Sequence, residues 1–197
     1  QLAPDVGTLL KINISWQHYY PACSTSPWQL DGVIKTLKED GFEDLIPTHN
    51  GTVVVDAREG EVNNKHDVVV RRHGLESVHL EDVEWVPLHF SDDFLVLNQI
   101  YPDGINIPKF LIDKNVIHLP TMKTHVFTTI TGAMKNAFGG LLNFQRHWTH
   151  SVIHETLVDL LRIQKKIHPD VNPNSNTERL SQIVNEAKET ILKFDFS

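Results

Sequence analysis

Between Thr121 and Gly140 the chain reads TMKTHVFTTITGAMKNAFGG. Lys123 and Lys135 bring positive charge there. His125 can donate, accept or carry a proton near neutral pH. Thr128, Thr129 and Thr131 add hydroxyls and Asn136 an amide, while Gly132 has no side chain to keep a ligand off the backbone. No carboxylate interrupts the segment. These residue types suit a phosphate, a carboxylate or another small anion, with His125 as the proton carrier. A helix opening near Gly132 would add free N–H groups and a positive dipole end. The segment is not a P-loop, which needs GxxxxGK[ST]. The competing reading is a pair of solvated lysines and a histidine that caps a turn.

A second grouping, RHWTHSVIH, sets His147, His150 and His154 at i, i+3 and i+7. On one helix beginning near His147 they would share a face, within reach of one metal ion. Neutral imidazoles suit nickel, zinc, copper or iron. The alternative is a wet helix end in a chain that holds 12 histidines. Lys11 and Asn13, in the first apolar run, are placed to point at the same cleft. Cys23 lies near His18; the pair reads either as a nucleophile with its base or, more simply, as a plain free thiol.

Eighteen basic and 25 acidic residues leave a net charge of −7, which argues against nucleic acid or an anionic membrane as the main partner. One cysteine makes no internal disulfide and no complete iron–sulfur cluster motif. It fits a reducing, cytoplasmic setting. No apolar run approaches the ~20 residues of a membrane span, and no signal peptide is visible. The chain starts at Gln1, so a fragment or a removed leader stays open.

The elements that must position these residues follow from pattern. TLLKINIS (Thr8–Ser15) reads as a buried strand. Ser26 as N-cap, Pro27 at the first helical position, Gln29 completing a capping box and Gly41 past the end frame a helix. Thr52–Ala57 reads as a second strand, and residues 61–74 as a helix closed by Gly74. SVHL and FLVL are short strand candidates, and Asn115–Pro120 is another. GAMKNAF is a short helix and Ser151–Ile167 an amphipathic one. Strands alternating with helices predict an α/β fold: a mostly parallel sheet with flanking helices, a Rossmann-like lobe. Residues 1–169 form this lobe, 170–177 a linker and 178–197 an appended C-terminal helix. In such sheets ligands gather at the carboxyl ends of strands, where both Trp16–Thr25 and Thr121–Thr131 would lie.

LKINIS, INIPKFLIDKNVIHLPTMKTH, TGAMKNAFGGL and RHWTH, in this order, resemble the family called domain of unknown function 362 over roughly Leu9–Pro169. The resemblance implies a cytoplasmic-type α/β protein. Some relatives carry ferredoxin-like modules, which implies a ferredoxin-like partner. Relatives continue past HPD into a second half where this chain turns to VNPNSNTERL, so a shortened or diverged relative is one expectation. More distantly, the layout is similar to nickel-dependent lactate racemases. There a histidine precedes, by ten positions, a lysine that holds a nickel cofactor covalently, and a nickel-binding histidine follows. This likeness implies His125 as acid/base, Lys135 as cofactor anchor and His150 as ligand. GAMKNAF departs from the racemases' glycine-rich basic stretch.

Two readings follow. In one, an enzyme-like protein binds a small anionic substrate, or a nickel or iron cofactor, and performs racemase, isomerase or redox-linked proton transfer. In the other, a non-catalytic binding or assembly protein of a redox or metallocofactor pathway uses the same grip. A truncated, inactive relative is a third. A half-built two-lobed fold would expose apolar surface, which favours self-association.

Overall fold

The computed structural model describes residues 2–52, 54–88, 94–140, 142 and 145–167. The linker and C-terminal helix expected from residue 170 onward lie outside these. Four strands form one parallel sheet: β1 (Thr8–Ile12), β2 (Leu45–His49), β3 (Val78–His79) and β6 (Asn115–Leu119), in the order β3-β2-β1-β6. Two antiparallel ribbons accompany it, β4 (Trp85–Leu88) with β5 (Ile105–Pro108) and β7 (Lys123–His125) with β8 (Thr129–Thr131). The predicted α/β class with a mostly parallel sheet is what forms.

The chain builds outward from β1 through α1 (Pro27–Glu39) to β2. It continues through α2 (Ala57–Asn63) and α3 (His66–Arg72) to β3. It then passes α4 (Leu97–Ile100) and returns to lay β6 on the other side of β1, before α5 (Ala133–Phe138) and α6 (Ile153–Ile167). The strand order therefore reverses between β1 and β6, and an open α/β sheet offers its crevice at such a switch point.

Alternation along β1 divides the core. Leu10 and Ile12 face α1 and α3, packing with Leu30, Ile34, Leu37, Val69 and Val70. Leu9 faces the other side, with Ala137 and Phe138 of α5 and Ile153, Leu160 and Ile163 of α6. Lys11 shares that second side yet is 5% exposed. Its carbonyl accepts a hydrogen bond from Asn136 Nδ2 (2.8 Å), which ties α5 to the sheet.

The framing of α1 holds as predicted: Ser26 Oγ accepts from the Gln29 N–H, and Gly41 takes φ +87° beyond the end. Four expectations are corrected. The second strand is Leu45–His49 and not Thr52–Ala57. Asp56 accepts from the N–H groups of Arg58 and Glu59 and starts a helix at Ala57, so a local cap overrides the β preference of the valines. Pro47 disguised the true strand. β3 pairs only with Thr48 and His49, so one side of β2 has no partner strand at Pro47. The 61–74 segment is not one helix, since Lys65 at φ +66° separates α2 from α3. FLVL is no strand. Asp159, fully buried on α6, accepts from the N–H groups of Leu95, Val96 and Leu97 and sets them at the head of α4. The Thr121–Thr131 segment, read as a loop, contains the β7–β8 hairpin.

Among the described residues no helix is long and apolar enough to cross a membrane.

Candidate functional site

β1 stops at Ile12 because the backbone beyond it turns to the Ser24–Thr25 segment. Asn13 N–H donates to Thr25 Oγ1 (2.8 Å) and Ser15 N–H to Ser24 Oγ (3.1 Å). Thr25 Oγ1 in turn donates to the Leu119 carbonyl at the end of β6. The ends of β1 and β6 are thereby held open, and a cleft of about 420 Å³ lies there.

Ten of the residues singled out by sequence line this cleft: Lys11, Asn13, Lys123, His125, Thr131, Gly132, Lys135, Asn136, His147 and His150. His154 does not. His147 and His150 belong to a 3₁₀ turn, Arg146–Val152, and the α-helix begins only at Ile153. With three residues per turn His147 and His150 eclipse one another, whereas His154 starts a differently phased helix and is exposed. The shared face of three histidines is not formed. Cys23, a half-buried free thiol, is outside the lining as well, and His18 packs edge-on against Trp16.

Arg146, Asn50 and Thr52 are lining residues that sequence reasoning missed. The cation in RHWTH was a usable signal for Arg146. Asn50 and Thr52 were hidden by the misplaced second strand. Arg146 donates to the Gly51 carbonyl (2.6 Å), and Gly51 N–H donates to Glu81.

The lining thus gathers Lys11, Lys123, Lys135 and Arg146, and among the described residues holds no carboxylate. Burial acts on each, and Arg146 repels the ammonium groups of Lys11 and Lys135. Burial, helped by Arg146, pulls the Lys11 ammonium down to about 7, with Glu81 opposing. Burial and Arg146 together bring Lys135 to about 8; its Nζ lies 4.1 Å over the Phe138 ring. Lys123 is lowered by burial, which Cys23 partly counters. Lys123 Nζ donates to Asn13 Oδ1 (2.8 Å) and to the Thr121 carbonyl. Lysines brought toward neutral pH in a cleft make it a candidate functional site.

His125 and His150 hold complementary positions. His125 Nδ1 accepts from the backbone N–H groups of Phe127 (3.2 Å) and Thr128 (3.3 Å). The ring proton therefore sits on Nε2. Burial first, then Lys135, His150 and Lys123, lower its pKa and so favour its neutral form. His150 Nδ1 faces the His147 carbonyl at 2.8 Å. A carbonyl only accepts, so this nitrogen carries the proton and Nε2 keeps a lone pair. That is the arrangement of a metal-ligating or proton-accepting imidazole.

Gly132 has no atom within 4 Å of where a Cβ would stand, so it leaves the cleft open and relieves no crowding. Crowding falls instead on Gly139, whose Cβ would lie 3.0 Å from Asn50 Oδ1, and on Gly140, whose Cβ would lie 2.9 Å from Leu80 Cδ1. Helix α5 has six residues, too few for a strong dipole at its start, so the side-chain cations carry the site's charge.

Comparison with family profiles matches residues 8–187 to the domain of unknown function DUF362. No curated protein and no solved structure matches the chain. With the profile running from β1 to beyond α6, the chain belongs to the DUF362 family.

Proposed function

We propose that the chain binds a small organic carboxylate in this cleft and moves a proton on it, as a racemase or isomerase does. One observation carries the reading: among the described residues, four cationic side chains and no carboxylate line a cleft at the strand switch point of a chain whose net charge is −7. Lys11, Lys123 and Arg146 would seat the carboxylate, with Lys135 adding its charge only while it is protonated. The neutral His125 would donate from Nε2 to the oxygen on which charge develops. It is less suited to act as the base, because its Nδ1 is engaged by two backbone N–H groups. The proton would pass to Lys135, whose pKa near 8 lets a neutral fraction exist near physiological pH, or to His150 Nε2, and return to the same carbon. The free Nε2 of His150 also supports a second reading, in which a nickel or iron ion binds there beside the anion.

The test is exchange of the α-hydrogen of 2-hydroxy and 2-amino carboxylates in deuterated water, followed by proton NMR. Exchange that is lost in Lys135→Ala or His150→Gln, with binding retained, supports proton transfer. Binding by calorimetry without exchange, weakened in Lys135→Ala, identifies a non-catalytic anion-binding protein. No binding of any carboxylate overturns both readings.

A further inference from the structure

Behind the cleft, on the opposite side of the sheet end, three side chains converge. His49 closes β2 and His79 closes β3; they are partners in register on adjacent parallel strands, so both project from the same face. Their rings stand 4.3 Å apart at 74°. Glu61 comes down from α2. Its Oε2 lies 3.1 Å from His49 Nε2 and 3.3 Å from His79 Nε2, and the three ligand atoms lie within 4.8 Å of one another. Ligands at 2.0–2.2 Å from a zinc-sized ion stand roughly 3–3.6 Å apart, so the two imidazole–carboxylate separations already have the spacing of a coordination shell.

Charge supplies a second, independent argument. Glu61 is 8% exposed. Among the described residues no lysine or arginine pairs with it. A buried carboxylate without a cation is costly. Ser77 Oγ donates to Oε1 and so leaves Oε2 for the two histidines. Both histidine Nδ1 atoms are buried and, among the described residues, without a partner, so no hydrogen bond at Nδ1 fixes either tautomer and each Nε2 can be the ligating nitrogen.

We infer that His49 Nε2, His79 Nε2 and Glu61 Oε2 form a binding site for one divalent transition-metal ion of the zinc class. Two imidazoles and one carboxylate are a donor set for such an ion and not for calcium or magnesium, which take oxygen ligands. The ion would join β2, β3 and α2 directly below residues 50–52, whose Gly51 carbonyl holds Arg146. The site is separate from the anion cleft and stands whether or not that cleft is catalytic.

The full chain, stripped with chelator, is titrated with cobalt(II), whose visible absorption reports a four- or five-coordinate protein site. One equivalent is expected to saturate the band, and zinc to displace it. Glu61→Gln and His79→Gln are expected to weaken cobalt binding more than about 100-fold. Ser77→Ala, which removes only the partner of Glu61, falls in the roughly 10–100-fold range of outer-sphere residues and remains informative if Glu61→Gln does not fold. His154→Ala, which changes an exposed histidine outside both sites, is expected to bind cobalt unchanged. Absence of the band in the wild-type chain, or its loss in His150→Ala with retention in His79→Gln and Ser77→Ala, overturns the inference. In the first case the three residues are a metal-free hydrogen-bonded cluster.

Discussion

The imidazoles of His125 and His150 face each other across the cleft wall, 6.4 Å between centroids and 15° from parallel, with their neutral forms fixed in opposite tautomers. One presents a proton at Nε2 and the other a lone pair. Phe127 lies 4.8 Å from His150, and Phe138 stands edge-on to it at 5.5 Å. A donor and an acceptor are thus held in one apolar frame by backbone groups, and among the described residues no carboxylate orients either ring.

The tautomers can be read directly. Long-range proton–nitrogen correlation spectra above neutral pH are expected to show His125 protonated at Nε2 and His150 at Nδ1. The same tautomer at both rings would contradict the hydrogen bonds described.

Anion binding should weaken as pH rises. The ammonium forms hold the anion, and these are lost first at Lys11 near 7 and then at Lys135 near 8. Calorimetric titration with lactate, whose charge is constant across this range, is expected to show affinity falling between pH 6.5 and 9. Bound anion raises both lysine pKa values by reciprocity, so binding near pH 8 takes up protons. Lys135→Met should remove the upper part of the pH dependence.

Neighbouring glycines should respond differently to a methyl group. In Gly140→Ala the new Cβ meets buried Leu80 and, at 3.0 Å, Lys11 Cε. Overpacking of this kind costs about 1–3 kcal/mol, seen as a lower midpoint in urea. Gly132→Ala finds open space at φ −162°, where any residue fits. Its stability should stay within about 0.5 kcal/mol of wild type, while the methyl narrows the cleft and lowers anion affinity.

Acid should destabilise the fold partly through His118. Burial, with Lys11 adding to it, lowers its pKa from 6.5 to about 4, and Gln164 Nε2 donates to its Nε2 at 2.7 Å. The folded value lies below the unfolded one. As pH falls, the unfolded chain takes up the proton first. Stability is therefore complete above about 6.5 and is lost progressively down to about 4. At ~1.4 kcal/mol per unit the group accounts for on the order of 3 kcal/mol. His66 and His79, both lowered chiefly by burial, act in the same direction. His118→Gln is expected to flatten the fall in urea midpoint between pH 6.5 and 4.5.

Local rules carried the fold wherever a single element decided its own shape. The cap and proline of α1, the buried run of β1, the strand Asn115–Leu119 and the amphipathic α6 were all legible. They failed where a distant group decided. FLVL is apolar and looks like a strand, but Asp159, more than sixty residues away in the chain, organises its N–H groups. LIPTH looks unlike a strand, yet Pro47 costs little where β2 lacks a neighbour.

The cleft's location and most of its lining were likewise readable. Strand ends in a parallel sheet and a polar, carboxylate-free segment both follow from neighbouring residues in sequence. What the sequence by itself determined was this supply of charge and hydrogen-bonding groups, and the class of sheet that would present them. Only the tertiary structure decided how they meet. It added Arg146 and Asn50 to the cleft, dropped His154 when a 3₁₀ turn changed the helical phase, and chose the tautomers of His125 and His150 through backbone partners. It also joined His49, Glu61 and His79, which no sequence spacing relates. Register between β2 and β3, and the descent of α2 onto their face, bring those three together. Such proximity is a property of packing, set by the whole core and written in no single stretch of the chain.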